Sequence, residues 1–413
     1  MSRSWKILSA LLIALTASIS TLGTGSEENY TLGIFGNANM DRTIDEKDIA
    51  YVQDVIRGAK NASNLTDANY DGNIDQSDID QIKLIIKGTE KKLTVIDDSG
   101  GAVTVNKPVS RIVTLNYNFP ELFVAIGAKD KIVGVEERFK TRMKDIAEAC
   151  DMMDVPVIGT YNEPNYERIL ELKPDLVITT SSMTKEVTEK LPGVPVISIS
   201  GFISTLDSDY IFRDLSLLGR IVDENDKASK LIDFMQSYNR IIEEHKTELN
   251  PKKMPTFYLE GPLNFTIYCP SGTPGKVLAE GCGGRNIASE IDTGSSSAEV
   301  SPEWVLEKNP DIIIKRNDFL GMNATEEDAE KELNKLIASR TGWDEISAVK
   351  NHRVYLLEGD LMWTPRYLAG RCYLAKWFQP ELFRGLNPEE ILRRYYKDFL
   401  GINYTGIWAY PLN

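Results

Sequence analysis

Two stretches thirty residues apart, "NANMDRTIDEKD" from Asn37 and "DANYDGNIDQSD" from Asp67, repeat one spacing of oxygen-bearing side chains. Asn37, Asn39, Asp41, Asp45 and Asp48 fall on Asp67, Asn69, Asp71, Asp75 and Asp78, with Thr43 and Asn73 between them. These are the side-chain positions of an EF-hand-type loop, and Thr43 and Asn73 occupy its backbone-carbonyl position. Calcium is a hard cation that takes six or more oxygens, and alternate residues of a tight loop can turn inward together to supply them. The chemistry expected of the repeat is therefore calcium binding.

The elements that position these loops repeat too. Ile49, Val52, Val55 and Ile56 match Ile79, Ile82, Ile85 and Ile86, spaced along one face of a helix that leaves each loop. Gly58 and Gly88 follow where a left-handed cap suits the chain. Each unit has a loop and an exiting helix but no entering helix. With Asp at the last ligand position and two tandem copies, residues 33–90 resemble a dockerin module. That resemblance implies docking to a cohesin-like module on another protein. Loop 1 departs from the pattern, with Asn37 for the usual Asp and Arg42 where Gly normally relieves a positive φ. A non-Gly residue held there costs on the order of 1 kcal/mol, so loop 1 is expected to be the weaker site.

A chain of 413 residues exceeds one ordinary core, so two or three domains are expected. Acidic residues outnumber basic ones by 61 to 47, for a net charge of −14, which argues against a nucleic-acid partner. Arg3 and Lys6 precede the apolar run "ILSALLIALTASIS", so residues 1–25 read as an export signal, the alternative being an uncleaved N-terminal membrane anchor. The protein is expected at the cell surface or outside the cell, and the N-x-[ST] sequons at Asn29, Asn61, Asn64, Asn264, Asn323 and Asn403 agree. Cys150, Cys269, Cys282 and Cys372 form neither a disulfide scaffold nor a CxxC site. They are read as isolated buried thiols, a Cys269–Cys282 pair being the alternative.

Beyond Lys92 the pattern changes to short Val- and Ile-rich runs alternating with helices. "LTVIDDSG" and "AVTVNKPVSRIV" form an opening hairpin; "RIVTLN", "KIVGV", "VPVIG", "DLVITT" and "VPVISIS" follow as strands. A helix over 226–250, closed by Pro251, would measure about 37 Å. Strands "TFYLEG", "PDIIIKR" and "RVYLLEG" then resume the pattern. The expected fold is α/β: two Rossmann-like lobes with largely parallel sheets, over 93–225 and 251–413, joined by the long helix and preceded by the small calcium module.

The segments "LTVIDDSGGAVTVNKPVSRIVTLNYNFPELFVAIGAKDKIVGV", "NYERILELKPDLVI", "VSPEWVLEKNPDIII" and "LNKLIASRTGWDEISAVKNHRVYLL" resemble class III substrate-binding proteins of ABC importers. The likeness runs in order over about residues 93–385. It implies two lobes on a rigid helix, an iron chelate, haem or cobalamin-type ligand in the cleft between them, and delivery to an ABC permease. It also implies that one glutamate on each lobe, Glu167 and Glu303, meets arginines of that permease.

In open α/β sheets ligands bind beyond the carboxyl ends of the strands. Those ends carry Asn116 to Asn118, Tyr161, Ser181 and Phe202 in the first lobe, and Glu260, Arg316, Trp363 and Arg366 in the second. Aromatic walls with one or two guanidinium groups suit a bulky anionic chelate. Tyr117, Asn118, Tyr161, Trp363 and Arg366 are the expected ligand residues, with Arg366 neutralising the ligand. Only His245 and His352 are present, too few for a site binding naked Zn²⁺ or Mn²⁺, and both are read as structural.

These features point to a non-enzymatic receptor. The competing reading, implied by the dockerin resemblance, is a dockerin-bearing extracellular enzyme such as a glycoside hydrolase, for which acidic residues are abundant, although no G-x-S-x-G or H-E-x-x-H motif occurs. A third is a calcium-dependent surface scaffold protein that binds no small molecule.

Overall fold

A computed structural model describes residues 30–201, 208–270, 274–291 and 294–411. The export segment over 1–25 and Phe202 lie outside the described residues. No helix among the described residues is long and apolar enough to cross a membrane.

The repeat folds as two loop–helix units, with helix α1 at Glu46–Ile56 and helix α2 at Gln76–Lys87. Both start alike. The side chains of Asp45 and Asp75 cap their helices, while Asp48 and Asp78 reach back to the cap residue's N–H, completing reciprocal capping boxes. Val52, Ile82 and Ile85 are fully buried between the helices and the body, each contributing about 1.5–3 kcal/mol relative to exposure.

The module does not hang on a linker. Ile34 bridges Val95 in the opening hairpin, formed by β1 (Lys92–Ile96) and β2 (Ala102–Asn106). Gly33 accepts from Ile96 N–H at 2.7 Å, and a Cβ on Gly33 would stand 2.9 Å from the Ile96 carbonyl oxygen. Arg220 donates to the Ile85 carbonyl at 3.1 Å. Lys107 is buried and joins Glu90 at 3.2 Å to Asp223 at 2.6 Å. One hydrophobic core runs from Ile34 and Ile82 through Val95 to Ile112 and Phe123.

The first lobe has four parallel strands, β3 (Ile112–Thr114), β4 (Ile132–Val135), β5 (Leu176–Thr179) and β6 (Val196–Ser198), in the order β4-β3-β5-β6. Chain order reverses at β3, so the crevice beyond its carboxyl end is the topological switch point. "VPVIG" forms only a bridge from Val157 to Val135 rather than a fifth strand. Helix α3 (Phe119–Ala125) follows β3.

Helix α4 (Ser208–Val222) and the connecting helix α5 (Asn225–His245) form a hairpin. The connector is shorter than its apolar pattern suggested. It stops at His245 and passes into single turns at Lys246–Glu248 and Pro251–Lys253, giving 21 residues or about 31 Å.

The second lobe is less parallel than expected. β7 (Thr256–Glu260), β11 (Ile312–Asn317) and β12 (Val354–Glu358) form its parallel centre. β8 (Thr266–Tyr268) and β13 (Ala409–Tyr410) flank it antiparallel, β10 (Ser297–Glu299) pairs antiparallel with β8 at the edge, and β9 (Arg285–Asn286) pairs with β7. Tight returns such as Gly261 to Phe265 leave no room for a crossover helix, so β8 must run back against β7. All four cysteines are buried, and none is in a disulfide.

Candidate functional site

The carboxyl ends of β3 and β4 face those of β11 and β12 across the lobes, and side chains from all four meet there. Tyr117, just past β3, is half-buried under two guanidinium groups: Arg138 lies 4.9 Å and Arg142 5.6 Å from its ring centre. Burial, reinforced by the charge of Asp360, pushes the Tyr117 hydroxyl above its ordinary pKa, so it stays a neutral donor. Arg142 then crosses to the second lobe, reaching Asp318 at 3.2 and 3.4 Å and Asp360 at 3.2 Å.

Arg316, at the end of β11, grips the same Asp318 carboxylate at 2.8 and 3.3 Å and donates to the Tyr268 hydroxyl at 3.0 Å. Burial alone would raise the Asp318 pKa. The hydrogen bonds and charges of Arg316 and Arg142 outweigh it and hold the carboxyl below its usual range. Trp363 packs edge-on to Tyr268, with ring centres 6.4 Å apart. The result is a patch of three aromatic rings and three guanidinium groups drawn from both lobes.

Of the expected ligand residues, Tyr117 and Trp363 belong to this patch. Tyr161 sits nearby on the first lobe, its hydroxyl tied to Thr180 at 2.7 Å and Ser182 at 3.1 Å. Asn118 is buried at the start of α3, and its Oδ1 has no hydrogen-bond partner. Arg366 is a correction. It has no exposed side-chain surface and is bound to Glu121 of the first lobe at 2.9 and 3.1 Å, with Tyr396 at 3.2 Å. It is a buried interlobe tie and cannot present its charge to a ligand. Glu260 is likewise interior, paired with Arg340 at 2.9 Å.

Arg138, Arg142, Tyr268 and Asp318 were not expected from sequence. The first two follow the carboxyl end of β4, so the rule that selected Tyr117 covers them. Tyr268 comes from an antiparallel strand, and no strand-end argument reaches it. His245 bonds the Ile241 carbonyl and packs on Phe383, as a structural residue would; His352 is exposed in a left-handed turn.

Glu167 and Glu303 are exposed in the first turns of two matching helices, Tyr166–Glu171 and Pro302–Lys308. Asn165 and Ser301 cap those helices through the same kind of side-chain bond. Each helix leads into a central strand of its own lobe, β5 or β11, so the two carboxylates hold equivalent places.

The two acidic loops share the bonds of their last and third ligand positions. Asp48 accepts from Asn39 N–H at 3.1 Å and Asp45 N–H at 2.8 Å; Asp78 accepts from Asn69 N–H at 3.2 Å and Asp75 N–H at 2.9 Å. Asp41 and Asp71 accept from Thr43 and Asn73 N–H at 2.7 and 2.8 Å. Met40 and Tyr70, one at the same place in each loop, take φ of 60° and 58°. Gly72 has φ 89°, but Arg42 does not share it, so the strain expected at Arg42 is absent. Instead Asn37, buried, pulls loop 1 inward by donating to the Leu32 and Asp41 carbonyls at 2.8 and 2.6 Å. Its Oδ1 is buried without a partner. Among the described residues no three acidic, His or Cys side chains converge on one point, since the loop carboxylates face their own backbone. The donor set, all oxygen, fits a hard cation.

The family described as periplasmic binding protein matches residues 112–361, more than half of the chain. An uncharacterized ABC transporter substrate-binding lipoprotein of Bacillus subtilis (strain 168) is 26% identical over 306 residues, covering 71% of this chain and 87% of the relative. The vitamin B12-binding protein of Vibrio parahaemolyticus is 26% identical over 283 residues, covering 66% of this chain and 91% of the relative. Among solved structures, the TroA-like periplasmic binding protein FepB of Veillonella parvula superposes with a TM-score of 0.69 at 26% identity, covering 78% of this chain and 99% of that one.

Proposed function

The chain belongs to the periplasmic binding protein family, and from that premise we propose that it captures an iron chelate, haem or corrinoid outside the cell and delivers it to the permease of an ABC importer. One observation carries the reading. Tyr117, Tyr268 and Trp363 converge with Arg142 and Arg316 at strand ends contributed by both lobes. Flat aromatic faces suit a macrocycle or aryl chelate, and guanidinium groups suit its carboxylates or other oxyanions. The family is one of binding proteins, and the vitamin B12-binding relative supports a ligand of this size. Glu167 and Glu303 serve as the docking pair for the permease, one on each lobe.

In this reading the N-terminal module is dockerin-like and takes calcium. Asn37, Asn39, Asp41, Asp45 and Asp48 would hold one ion, and Asp67, Asn69, Asp71, Asn73, Asp75 and Asp78 the other. A cohesin-like module is the partner the resemblance suggests. Calcium would supply no chemistry to the cleft; it would fix the loops between their helices.

The test is native mass spectrometry and an absorption spectrum of protein purified from its own organism, followed by titration with haemin, cyanocobalamin and ferric citrate. Saturable binding of one supports the reading. A ligand-free protein that binds none of them overturns it.

A further inference from the structure

We infer that Asp318 is a built-in occupant of the ligand's anion subsite: its carboxylate fills a clasp formed by Arg142 of the first lobe and Arg316 of the second, and a carboxylate or inorganic oxyanion of the ligand must displace it. The inference rests on the cleft being the ligand site, as proposed above.

The clasp is a built object. Arg316 is held from behind by the Tyr268 hydroxyl at 3.0 Å, and Arg142 by Asp360 at 3.2 Å. Asp360 is fixed, with 6% of its side chain exposed, whereas 39% of the Asp318 side chain is exposed. Asp318 therefore has a way out into solvent, and the two arginines keep their orientation when it leaves. The backbone at Gly359 lies directly under the contact. A Cβ there would stand 2.4 Å from Asp318 Oδ1, 2.6 Å from Arg316 Nε and 2.8 Å from Arg142 Nη2. Only glycine lets the three charged groups close over that point.

Exchange of one anion for another leaves the number of ion pairs unchanged. The guanidinium groups are already oriented and partly desolvated, so the incoming oxyanion gains a preformed site but must outcompete an intramolecular carboxylate. A neutral ligand cannot replace Asp318, and the cleft is thereby biased against it. The interlobe bridge from Arg142 to Asp318 is released in the same event, coupling anion capture to lobe contact.

The experiment uses the full chain, with Asp318→Asn and Asp318→Ser. Thermal melts are titrated with sodium molybdate and with citrate at constant ionic strength. With the clasp vacated, both variants should reach half-maximal stabilisation at roughly fivefold to tenfold lower oxyanion concentration than wild type. Adding Arg316→Gln to Asp318→Asn should erase that gain. A response to citrate alone assigns the subsite to organic carboxylates, and one to molybdate alone to inorganic oxyanions. Equal responses of wild type and both variants overturn the inference, as does failure of both variants to fold, which would make Asp318 a structural residue. The two proposals fail separately. An oxyanion gain without binding of haemin, cyanocobalamin or ferric citrate removes the proposed function and leaves Asp318 as an occupant. Wild-type binding of one of these with the same affinity in Asp318→Asn removes the occupant alone.

Discussion

Glu121 and Arg366 meet across the two lobes as a bidentate pair, with Nε to Oε1 at 3.1 Å and Nη2 to Oε2 at 2.9 Å, and solvent reaches neither side chain. Tyr395 donates a further bond to Glu121 at 2.9 Å, and the Arg366 guanidinium lies 5.1 Å from the Trp408 ring. A helix from each lobe and the C-terminal helical segment are thereby joined at one point.

Removing one partner of such a pair strands the other charge in a dry interior. Arg366→Ala should lower stability to urea by about 3–5 kcal/mol. Glu121→Gln with Arg366→Met should recover much of that loss, because no unpaired charge remains. Equal stability of Arg366→Ala and wild type would show that the pair holds nothing together.

Asp214 gives a pH dependence with a definite sign. Burial, only partly offset by Arg213 and by the N–H groups of Gly201 and Ser200, pushes its carboxyl up to about 6. The unfolded chain titrates near 4, so the folded protein holds this proton more tightly. The contribution is complete below about pH 4, is lost as pH rises to about 6, and is flat above that. Urea unfolding at several pH values should show a loss on the order of 2–3 kcal/mol in this window. Asp214→Asn should flatten it; an unchanged slope would assign the dependence to other groups.

Calcium should raise the melting temperature of the whole first lobe, because α2 and the opening hairpin share one core. At about a hundredfold excess over Kd, one site adds about 2.7 kcal/mol. Asp67→Ala with Asp71→Ala should remove the stronger site and most of that gain. Calorimetry of the full chain without calcium heat, together with melting indifferent to chelator, would dispose of the calcium reading.

Charge reversal at Glu167 and Glu303 separates docking from capping. The double change to Lys should lower stability by a few tenths to about 1 kcal/mol at each helix and leave ligand affinity unchanged. Uptake through the paired permease should vanish. Normal transport by the double variant would leave the two carboxylates as ordinary residues of a helix first turn.

Local patterns were legible wherever one residue type at one spacing does one job. The loop repeat, the paired helices and their glycines, and the four strands of the first lobe's sheet follow from short-range rules, whereas the two glutamates were picked out by the family resemblance. The failures were long-range. Arg316 closes β11 and Arg366 caps the helix that follows β12, and both were placed at strand ends by the same rule; Glu121, distant in sequence, takes Arg366 out of the cleft. Arg42 does not take the positive φ of Gly72, and Asn37 turns inward to the Leu32 carbonyl, neither of which their positions in the loop announce. Tyr268 reaches the site because β8 runs antiparallel, a choice made by sheet topology rather than by the strand's own residues.

The continuous core beneath the N-terminal module also decides what is held still with it. The bridge from Ile34 to Val95 and the buried Lys107, gripped by Glu90 and Asp223, leave no slack between the module and the first lobe. If a partner holds the module, Tyr117, Arg142 and Glu167 become stationary with it. The second lobe, carrying Arg316, Asp318 and Glu303, stays tied to that fixed half through the same core and the buried Glu121–Arg366 pair. A tether of this kind immobilises half of the binding site along with the anchor.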